Sequence, residues 1–399
     1  MKARSIGERV YLIGAVDWDR RLFDSLIPLP DGTSYNAYLV EGSDATALLD
    51  TVDPAMTGVL LAQLRGVPRV DFVVAHHAEQ DHSGSIPAVL ARYPSARVVC
   101  SAKCAGMLVD LLGVSAERIV TVQDGETLSL GDKTLQFIYT PWVHWPETMA
   151  TYLHEDRILF TCDFLGSHLA TSNPYADEAH VYEPAKRYYA EIMMPFRAIV
   201  QRNLDKISRY EMALIAPSHG PLHRRPQFIL DAYRDWASDE PKNLAVVAYV
   251  SMHDSTRRMV EHLMGELVAR GVAAEQFDLA AVDLGKLAMA LVDAATIVVG
   301  TPTVLAGLHP AAAYAAFLTN ALRPKARDAA VIGSYGWGGK AVEQVGSLLS
   351  SLKVEILPPV LSRGLPKEAD YAALDSLAET IATKHSGLAK AWRAELPGL

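Results

Sequence analysis

Four residues with metal-binding side chains follow one apolar run of the sequence. Val73, Val74 and Ala75 have the composition of a buried strand, and the loop after them ends in Ser-Gly. The metal-binding residues of this loop are His77, Glu79, Asp81 and His82. Imidazole nitrogen together with carboxylate oxygen is a ligand set of non-haem iron, and it also suits zinc and manganese. The segment therefore predicts a site for one or two metal ions at a strand end.

Three more residues of the same kind occur further along the chain. Each stands at or just beyond an apolar run with the composition of a strand, and they are His144, Asp163 and His219. A solvated polar loop that contains two histidines would explain the first segment alone, but it would not explain this repetition. We therefore prefer a metal centre that is built where several strands end.

The order of these residues resembles a known fold. The pattern H-x-E-x-D-H, followed by His, Asp and His, is similar to that of the metallo-β-lactamase fold, whose hydrolases usually carry H-x-H-x-D-H. Here Glu79 replaces the second histidine, and this departure resembles the flavodiiron proteins, in which the site holds two irons rather than two zincs. The added carboxylate supplies a hard, negatively charged oxygen that favours oxidised iron. Zinc has no redox states of its own.

Length and composition predict two globular domains. The chain has 399 residues, more than one ordinary domain contains, and half of them are hydrophobic. The formal net charge is -9 and the charges are mixed along the chain, so we expect no nucleic-acid partner. No apolar run reaches membrane-spanning length and the N-terminus lacks the apolar core of a signal peptide, so we expect no membrane association and a cytoplasmic protein.

The chain contains three cysteines, which are Cys100, Cys104 and Cys162. An odd number of cysteines fits a reducing compartment better than a disulfide framework. Cys100 and Cys104 lack the paired C-x-x-C spacing of a rubredoxin-type iron site. We therefore expect electrons to come from an external donor. Cys162 precedes Asp163 and is predicted to pack beneath the metal centre.

The first half of the chain is dense in short strand signals. Predicted strands include residues 10–14, 34–40, 45–50, 134–139 and 157–160, and predicted helices are residues 56–65, 102–112 and 183 to about 210. Runs of strands with helices outside them suggest two packed sheets covered by helices. The resemblance implies that this is the αββα sandwich of the metallo-β-lactamase fold.

The second half alternates strands and helices. Predicted strands are residues 244–250, 295–300 and 329–333, and a helix is predicted from residue 257 to about 270. The first of these strands is a continuous apolar run of the kind that is buried on both faces of a parallel sheet. We place the domain boundary at the end of the charged segment 224–243. The fold class is thus α/β and α+β in two domains, a metallo-β-lactamase-like domain at 1–242 and a doubly wound flavodoxin-like domain at 243–399.

Three loops follow these three strands, and together they are similar to the ligand-binding loops of a flavodoxin. The first joins a strand to a helix N-terminus and is rich in hydroxyl groups, which suits a phosphate because backbone N–H groups and the helix dipole face the anion. It lacks the P-loop and dinucleotide fingerprints, so a mononucleotide fits better. The loop residues are Ser251, Met252, His253, Asp254, Ser255 and Thr256; Thr301, Pro302, Thr303, Val304, Leu305, Ala306 and Gly307; and Ser334, Tyr335, Gly336, Trp337 and Gly338.

The ligand that this resemblance implies is FMN, which lies outside the carboxyl ends of the strands in such folds. Ser251, Ser255 and Thr256 would bind its phosphate, and Trp337 is the aromatic residue that we place near the flavin ring. The alternative for Trp337 is a core or interface aromatic whose neighbouring glycines serve only to turn the chain.

Joined in this order, the two halves resemble a flavodiiron protein over almost the whole chain. The resemblance implies reduction of dioxygen to water, or of nitric oxide to nitrous oxide, at a non-haem diiron centre. FMN would relay electrons from an external donor such as rubredoxin or a reduced deazaflavin. The family also implies a head-to-tail homodimer, or a dimer of such dimers, in which the flavin of one chain lies near the irons of the other.

The resemblance assigns roles to individual residues. His77, Glu79 and His144 would bind one iron, and Asp81, His82 and His219 the other, with the Asp163 carboxylate bridging both. Candidate proton donors are His168, Tyr188 and Tyr189, for which hydrogen-bonded core residues are the alternative. His76 is predicted to point to the opposite face of its strand. Asp24 stands where many family members have a histidine.

Two other functions stay open at this point. One is a two-metal zinc hydrolase that uses a bridging hydroxide and carries an accessory flavodoxin-like module. The other is an electron-transfer protein whose metal site is structural. The sequence also does not choose between dioxygen and nitric oxide, because residues around the ligands and the access path decide such preferences.

Overall fold

The computed structural model describes residues 3–390, which form two compact units. The first unit comprises the chain up to residue 189 together with residues 196–237, and the second comprises residues 190–195 and the chain from residue 238. Each unit has its own sheets and its own hydrophobic core.

The first unit contains two large sheets and one short hairpin. Its strands are β1 (Arg4–Gly7), β2 (Val10–Asp17), β3 (Leu22–Phe23), β4 (Ile27–Pro28), β5 (Thr33–Glu41), β6 (Thr46–Leu49), β7 (Phe72–Val74), β8 (Arg97–Ser101), β9 (Ile119–Val122), β10 (Thr127–Ser129), β11 (Thr134–Tyr139), β12 (Met149–Leu153), β13 (Ile158–Cys162) and β14 (Leu214–Pro217). One sheet has the order β1-β2-β5-β6-β7-β8-β9, the other has the order β10-β11-β12-β13-β14, and β3 pairs with β4.

The two sheets share one core. Side chains alternate between the faces of a strand, so Tyr38 and Val40 of β5 face the second sheet, while Ala37 and Leu39 face the helices. The ring of Tyr38 packs against that of Phe160 in β13, with their centroids 4.8 Å apart. Both faces of the seven-stranded sheet are therefore buried.

Helices cover the outer sides of the sandwich. The helices of this unit are α1 (Thr57–Gln63), α2 (Gln80–Ser83), α3 (Ile86–Arg92), α4 (Ala102–Leu112), α5 (Glu178–Tyr188), α6 (Arg197–Ile207) and α7 (Pro226–Ala237). Leu60 of α1, Val89 of α3 and Leu108 of α4 pack against the first sheet. On the second sheet's side, Phe164 meets Tyr233 of α7 edge-on, with ring centroids 5.6 Å apart. This arrangement confirms the predicted αββα sandwich.

Local signals explain where one of these helices begins and ends. The side chain of Ser101 accepts a hydrogen bond from the backbone N–H of Cys104 at 3.2 Å, which caps α4. Gly113 ends the same helix with φ of 66°, a left-handed conformation that glycine adopts without steric cost. The predicted bounds of this helix, residues 102–112, are confirmed.

The helical stretch predicted from residue 183 to about 210 is present, but it begins earlier and changes helix type along its length. Helix α5 begins earlier, at Glu178, where Asp177 accepts from the N–H of Ala179, and it ends at Tyr188. A π turn at Tyr189–Met193 and a 3₁₀ turn at Met194–Phe196 then precede α6. Residues 178–207 are thus helical throughout, although α5 contains Pro184 and the 3₁₀ turn contains Pro195. The charged segment 224–243 likewise contains α7.

The second unit is a doubly wound sheet. Its strands are β15 (Lys242–Tyr249), β16 (Ala273–Asp278), β17 (Ala294–Val304), β18 (Gly307–Leu308), β19 (Asp328–Tyr335), β20 (Glu355–Ile356) and β21 (Val360–Arg363), and its helices are α8 (Ser255–Ala269), α9 (Leu284–Leu291), α10 (Pro310–Leu322), α11 (Ala341–Leu348) and α12 (Glu368–His385). The order β16-β15-β17-β19-β20, with β21 also pairing with β19, is the flavodoxin order 2-1-3-4-5. The predicted flavodoxin-like fold is confirmed.

One predicted loop of this unit is partly a hairpin. Residues 301–304 continue β17, which pairs with β18. The two residues between these strands, Leu305 and Ala306, both have positive φ, 50° and 60°. Two left-handed residues in succession suit a two-residue hairpin turn. Asn and Gly usually fill such turns, so the sequence contains no strong signal for this hairpin.

No helix within residues 3–390 is long and apolar enough to cross a membrane.

His223, six residues after the end of β14, is a buried histidine whose pKa is lower than usual. Only 2% of its surface is exposed, and its backbone exchanges hydrogen bonds with Ile215, N to O, at 2.9 and 3.1 Å. Burial lowers the pKa of the His223 imidazole to about 4, although a hydrogen bond with the backbone of Leu165 opposes this shift. The folded protein therefore holds this ring neutral.

We predict that His223 makes the protein less stable in mild acid. Because the pKa is about 6.5 in the unfolded chain and lower in the fold, the stabilisation is complete above pH 6.5 and is lost as the pH falls toward 4. Between pH 7 and pH 5 the loss should be about 2 kcal/mol. Urea unfolding at both pH values measures it, and His223→Gln should remove that part of the pH dependence. Equal losses in the two proteins would contradict the prediction.

Candidate metal centre

The predicted metal ligands lie together where strands of both sheets end. His77 follows β7, Asp163 follows β13 directly, and His219 follows β14 by two residues. Glu79 is the N-cap of the short helix α2. The remaining members of the group are Asp81 and His82 in α2 and His144 in the turn between β11 and β12. The strand ends therefore bring together all seven residues that the sequence singles out.

Four of them form one group of potential ligands. One ligand atom from each of His77, Glu79, His144 and Asp163 lies within 4.8 Å of the others. Glu79 Oε2 is 3.0 Å from His77 Nε2 and 3.1 Å from His144 Nε2. Asp163 Oδ2 lies 3.5 Å from His77 Nε2 and 3.4 Å from His144 Nε2. His144 is the most accessible of these side chains, with 18% of it exposed.

Asp81, His82 and His219 form a second group. Asp81 Oδ2 is 3.2 Å from His82 Nε2 and 3.1 Å from His219 Nε2. The other oxygen of Asp163, Oδ1, lies 2.8 Å from His82 Nε2 and 3.3 Å from His219 Nε2. The two oxygens of Asp163 thus face the two groups separately.

Several ligand atoms of both groups lack hydrogen-bond partners, as expected of atoms that bind metal cations. Both oxygens of Asp81, both oxygens of Asp163 and both ring nitrogens of His82 are buried and have no aligned hydrogen-bond partner. A buried carboxylate without compensation costs several kcal/mol or more, so such groups in proteins pair with cations or coordinate metals. Three carboxylates and four imidazoles at these separations have the donor chemistry of a centre for two metal ions.

Opposite charges shift the proton affinities within the cluster. Burial disfavours the charged form of every member, but His82, His144 and His219 together hold the pKa of Asp163 well below its usual range. Conversely, Asp163 and Asp81 raise the pKa of His219 to about 10, and Asp163 and Glu79 raise that of His144 to about 9. The cluster therefore favours a positive charge next to its carboxylates.

A carboxylate that sequence reasoning missed orients His77. Glu147 Oε1 accepts a hydrogen bond from His77 Nδ1 at 2.7 Å and another from the N–H of Ala78 at 3.0 Å. Nδ1 is thereby the protonated nitrogen, and Nε2 is directed at Glu79 and Asp163. The only sequence signal is its position three residues after His144.

His76 has a separate role in the scaffold. Its ring is buried, with Nδ1 2.7 Å from Asp50 Oδ2 and Nε2 2.7 Å from Thr151 Oγ1. The backbone N–H of His76 also donates to Asp50. His76 thus ties the segment after β7 to β12, and it lies outside both ligand groups.

Alternate residues of β5 bind the loop that carries His219. His219 Nδ1 donates to the carbonyl oxygen of Ser34 at 2.7 Å, which leaves Nε2 for the cluster. The amide of Asn36 donates to the carbonyl oxygens of Pro217 and Gly220, both at 2.8 Å, on either side of this histidine. The hydroxyl of Tyr38 donates to Pro217 as well, at 2.6 Å. One strand face thereby fixes the loop.

The three candidate proton donors lie in different surroundings. The ring of His168 is 4.8 Å from that of His219, and its Nδ1 is 2.9 Å from Thr33 Oγ1. Burial, followed by the charge of His219, lowers its pKa well below the usual value, so this ring is neutral. Tyr188 packs against His168 at 4.9 Å and keeps its proton because burial raises its pKa. Tyr189 instead packs against Tyr233 and Trp236.

Asp24 lies near the ligands of the first group. It has φ of 48° in the turn between β3 and β4. Burial raises the pKa of its carboxyl, and the charges of Glu79 and Asp81 raise it further, against an opposing effect of His144. The preceding residue, Phe23, is buried and packs against the ring of His168 at 5.3 Å. The sequence marks Asp24 only as the residue that stands where many family members have a histidine.

In the second unit, the three predicted flavin loops lie at the carboxyl ends of β15, β17 and β19. Thr256 Oγ1 of the first loop is 3.2 Å from Ser334 Oγ of the third. The N–H of Lys340, after the third loop, donates to Ala306 O of the second at 3.3 Å. This edge contains the point where the strand order reverses, at which such sheets bind their ligands.

The same edge has features that suit a flavin mononucleotide. Asp254, the N-cap of α8, has φ of 63° and makes no capping bond with its side chain, while Ser251 Oγ accepts from the N–H of Arg257. A hydroxyl-rich turn at the N-terminus of a 15-residue helix suits a phosphate. Leu305 and Trp337 are 94% and 81% exposed, so Trp337 is not a core residue of this unit.

Comparison with known proteins shows similarity along almost the whole chain. A family model described as ODP family beta lactamase matches residues 33–220. A nitric oxide reductase from Moorella thermoacetica is 34% identical over 392 residues, which cover 95% of this chain and 98% of the relative. The chain is a member of the flavodiiron protein family.

Solved structures of this family agree. Rubredoxin oxygen:oxidoreductase from Desulfovibrio gigas superposes with a TM-score of 0.93 at 28% identity, covering 96% of this chain and 98% of that one. The flavodiiron protein from Giardia intestinalis gives a TM-score of 0.87 at 27% identity, with the same coverage. These names belong to redox proteins, so a flavodiiron function is favoured over the hydrolase alternative. The family name itself denotes a flavin and two irons.

We predict that Asn36 controls how firmly this flavodiiron protein holds metal at the second ligand group. In Asn36→Ala two buried carbonyl groups lose a donor, and the loop with His219 loosens. Metal affinity should fall by roughly 10- to 100-fold, as for the loss of other groups that support a ligand. Metal retained per chain during dialysis against graded chelator measures the effect.

Tyr38→Phe is the matched comparison for Asn36→Ala. It removes one donor to Pro217, whose carbonyl still receives the amide of Asn36, so its effect on metal retention should be smaller. Equal retention by the wild type and Asn36→Ala would show that the loop needs no such support.

Proposed function

We propose that this flavodiiron protein reduces dioxygen to water, or nitric oxide to nitrous oxide, at a non-haem diiron centre, with FMN relaying electrons from an external donor. The observation that carries the proposal is the place of Glu79. Its Oε2 lies between His77 Nε2 and His144 Nε2, at 3.0 and 3.1 Å, inside the first ligand group. A carboxylate at this position adds the hard oxygen that favours iron over zinc.

The ligand roles follow from the two groups. His77, Glu79 and His144 would bind one iron, and Asp81, His82 and His219 would bind the other. Asp163 would be the ligand shared by both, which its oxygens support by facing one group each. His82 belongs to this set because its Nε2 is directed at Asp81 and Asp163.

Two irons bound here would supply Lewis acidity and would pass on the electrons that FMN relays from the external donor. The chain's own residues prepare the site for them. Glu147 and the Ser34 carbonyl fix the protonated nitrogens of His77 and His219. Phe23 and the neutral ring of His168 form an adjoining wall, where Tyr188 holds its phenolic proton. We propose His168 and Tyr188 as the groups that hold protons next to the site. Tyr189, the third candidate, packs against Tyr233 and Trp236.

FMN binds at the edge formed by the three loops. The hydroxyl groups of Ser251, Ser255 and Thr256, together with the N-terminus of α8, bind the phosphate. Residues 301–307 and 334–338 flank the ring, and Trp337 is exposed and so able to contact it. The external donor is a small redox carrier such as rubredoxin, whose name appears in that of the Desulfovibrio gigas protein.

The functional test compares the wild type with Glu79→His, which recreates the H-x-H-x-D-H pattern of the hydrolases. The wild type should contain two irons and one FMN per chain. After anaerobic reduction it should be reoxidised rapidly by dioxygen or nitric oxide, without releasing peroxide. Glu79→His should exchange iron for zinc and react roughly 100-fold more slowly or worse, since even supporting groups of a metal site are worth 10- to 100-fold.

Iron-free wild type that retains FMN is the control for that test, because reduced flavin alone reacts with dioxygen to give peroxide. A wild type that contains zinc and no flavin would refute the proposed function. So would a Glu79→His variant with two irons and unchanged reoxidation.

We also propose that the active form is a head-to-tail homodimer, alone or paired into a dimer of dimers. Exposed apolar side chains occur beside the candidate centre, in Trp18, Leu22 and Leu26 and in Trp142, two residues before His144. Others occur at the flavin edge, in Leu305 and Trp337. A second copy that covers both regions would bury them.

Sedimentation velocity tests this assembly. The wild type should sediment as a dimer or larger species, and Leu26→Asp should weaken association because it places a charge in the interface. Val268→Asp, at another exposed apolar position, is the control and should leave association unchanged. A wild-type monomer with full reductase activity would contradict the dimer.

A further inference from the structure

Helices α8 and α12 face each other with two matching rows of side chains. Residues four apart share one face of a helix. One row consists of His262 and Glu266 on α8 and Arg270 at its C-cap. The other consists of Tyr371, Asp375 and Glu379 on α12. His262 Nε2 is 2.6 Å from Asp375 Oδ1, and Arg270 Nε is 2.9 Å from Glu379 Oε2. The rows are therefore in register, and both helices run in the same direction.

Three of these side chains converge on one point. His262, Glu266 and Asp375 each offer one ligand atom, and the three atoms lie within 4.8 Å of one another. All three side chains are partly exposed, so an ion in solution has access to them. The ring of Tyr371 packs on that of His262, with centroids 4.8 Å apart, and so restricts the direction of the imidazole.

The donor set favours one class of ion. One imidazole nitrogen and two carboxylate oxygens suit zinc and its neighbours among the divalent transition metals. Calcium and magnesium prefer oxygen ligands alone, so the histidine disfavours them. Two carboxylates also balance the charge of a divalent ion.

We propose that His262, Glu266 and Asp375 form a binding site for a divalent transition metal ion, best suited to zinc, in the second unit. It is distinct from the candidate diiron centre, whose ligands all belong to the first unit. Water would complete a tetrahedral shell, as in zinc sites with three protein ligands. The ion would join α8 to α12.

Binding requires a small rearrangement. Zinc binds nitrogen and oxygen at roughly 2.0–2.2 Å, so its ligand atoms must be about 3.5 Å apart. His262 Nε2 and Asp375 Oδ1 share a proton at 2.6 Å, so this proton must pass to water and the two atoms must move apart, while the long side chain of Glu266 moves inward. Glu266 is ion-paired with Arg270, which also binds Glu379. Arg270 can therefore release one oxygen of Glu266 and keep its second partner.

The test uses the full-length protein loaded with iron and FMN. The protein is dialysed against micromolar zinc, and zinc, iron and flavin are measured together. We expect one zinc per chain in addition to unchanged iron and FMN, and a higher melting temperature because zinc binds only the folded state. In His262→Ala and in Asp375→Asn zinc should bind at least about 100-fold more weakly, the upper end of the loss for a merely supporting group.

Tyr371→Phe is the matched control. It removes only a hydroxyl group, keeps the ring that packs on His262 and leaves all three ligands in place, so this variant should bind zinc like the wild type. Asp375→Asn keeps the shape of the side chain, so one informative variant is available if His262→Ala folds poorly. Zinc that binds equally to the wild type and both ligand variants overturns the site. So does the absence of bound zinc, or zinc that appears only as iron is lost.

Discussion

The carboxylate of Asp163 is the constraint on which the first unit depends. It is buried directly after β13, and its two oxygens face two different groups of imidazoles and carboxylates. Neither oxygen has an aligned hydrogen-bond donor. A charge in this position is tolerable only beside positive charge. The same requirement applies to Asp81, so the interior of the sandwich is arranged around places for cations.

The candidate ligands lie in loops and in the short helix α2 just beyond the strand ends, and hydrogen bonds from the sheet and its neighbours hold several of them in position. Ser34, Asn36 and Tyr38 lie at alternate positions of β5, so they share one face and all bind the loop that carries His219. Glu147 does the same for His77. Hydrogen bonds of this kind fix which ring nitrogen carries the proton and where the other points. The site is therefore as rigid as the strands behind it, although no metal ligand lies within a regular strand.

The sequence singled out the seven residues of the candidate centre but not the groups that orient them. These seven residues follow strand-like runs, and four of them share the compact spacing H-x-E-x-D-H, which few other arrangements would produce. Glu147 is one of 46 acidic residues, and its partner His77 is 70 positions away, so only the fold could identify it. The hairpin after β17 was missed because Leu305 and Ala306 occupy left-handed positions without the usual glycine or asparagine.

The wall beside His219 also limits how protons can reach the centre. His168 is buried next to His219, and both burial and that positive neighbour keep it neutral. Burial raises the pKa of Tyr188, so its phenol keeps its proton. Phe23 is buried beside them and has no ionisable group. None of these groups can carry charge inward through the wall without a large desolvation cost. On the other side of the ligands, burial and then the charges of Glu79 and Asp81 raise the pKa of Asp24, so this carboxyl binds a proton more readily than an ordinary aspartate.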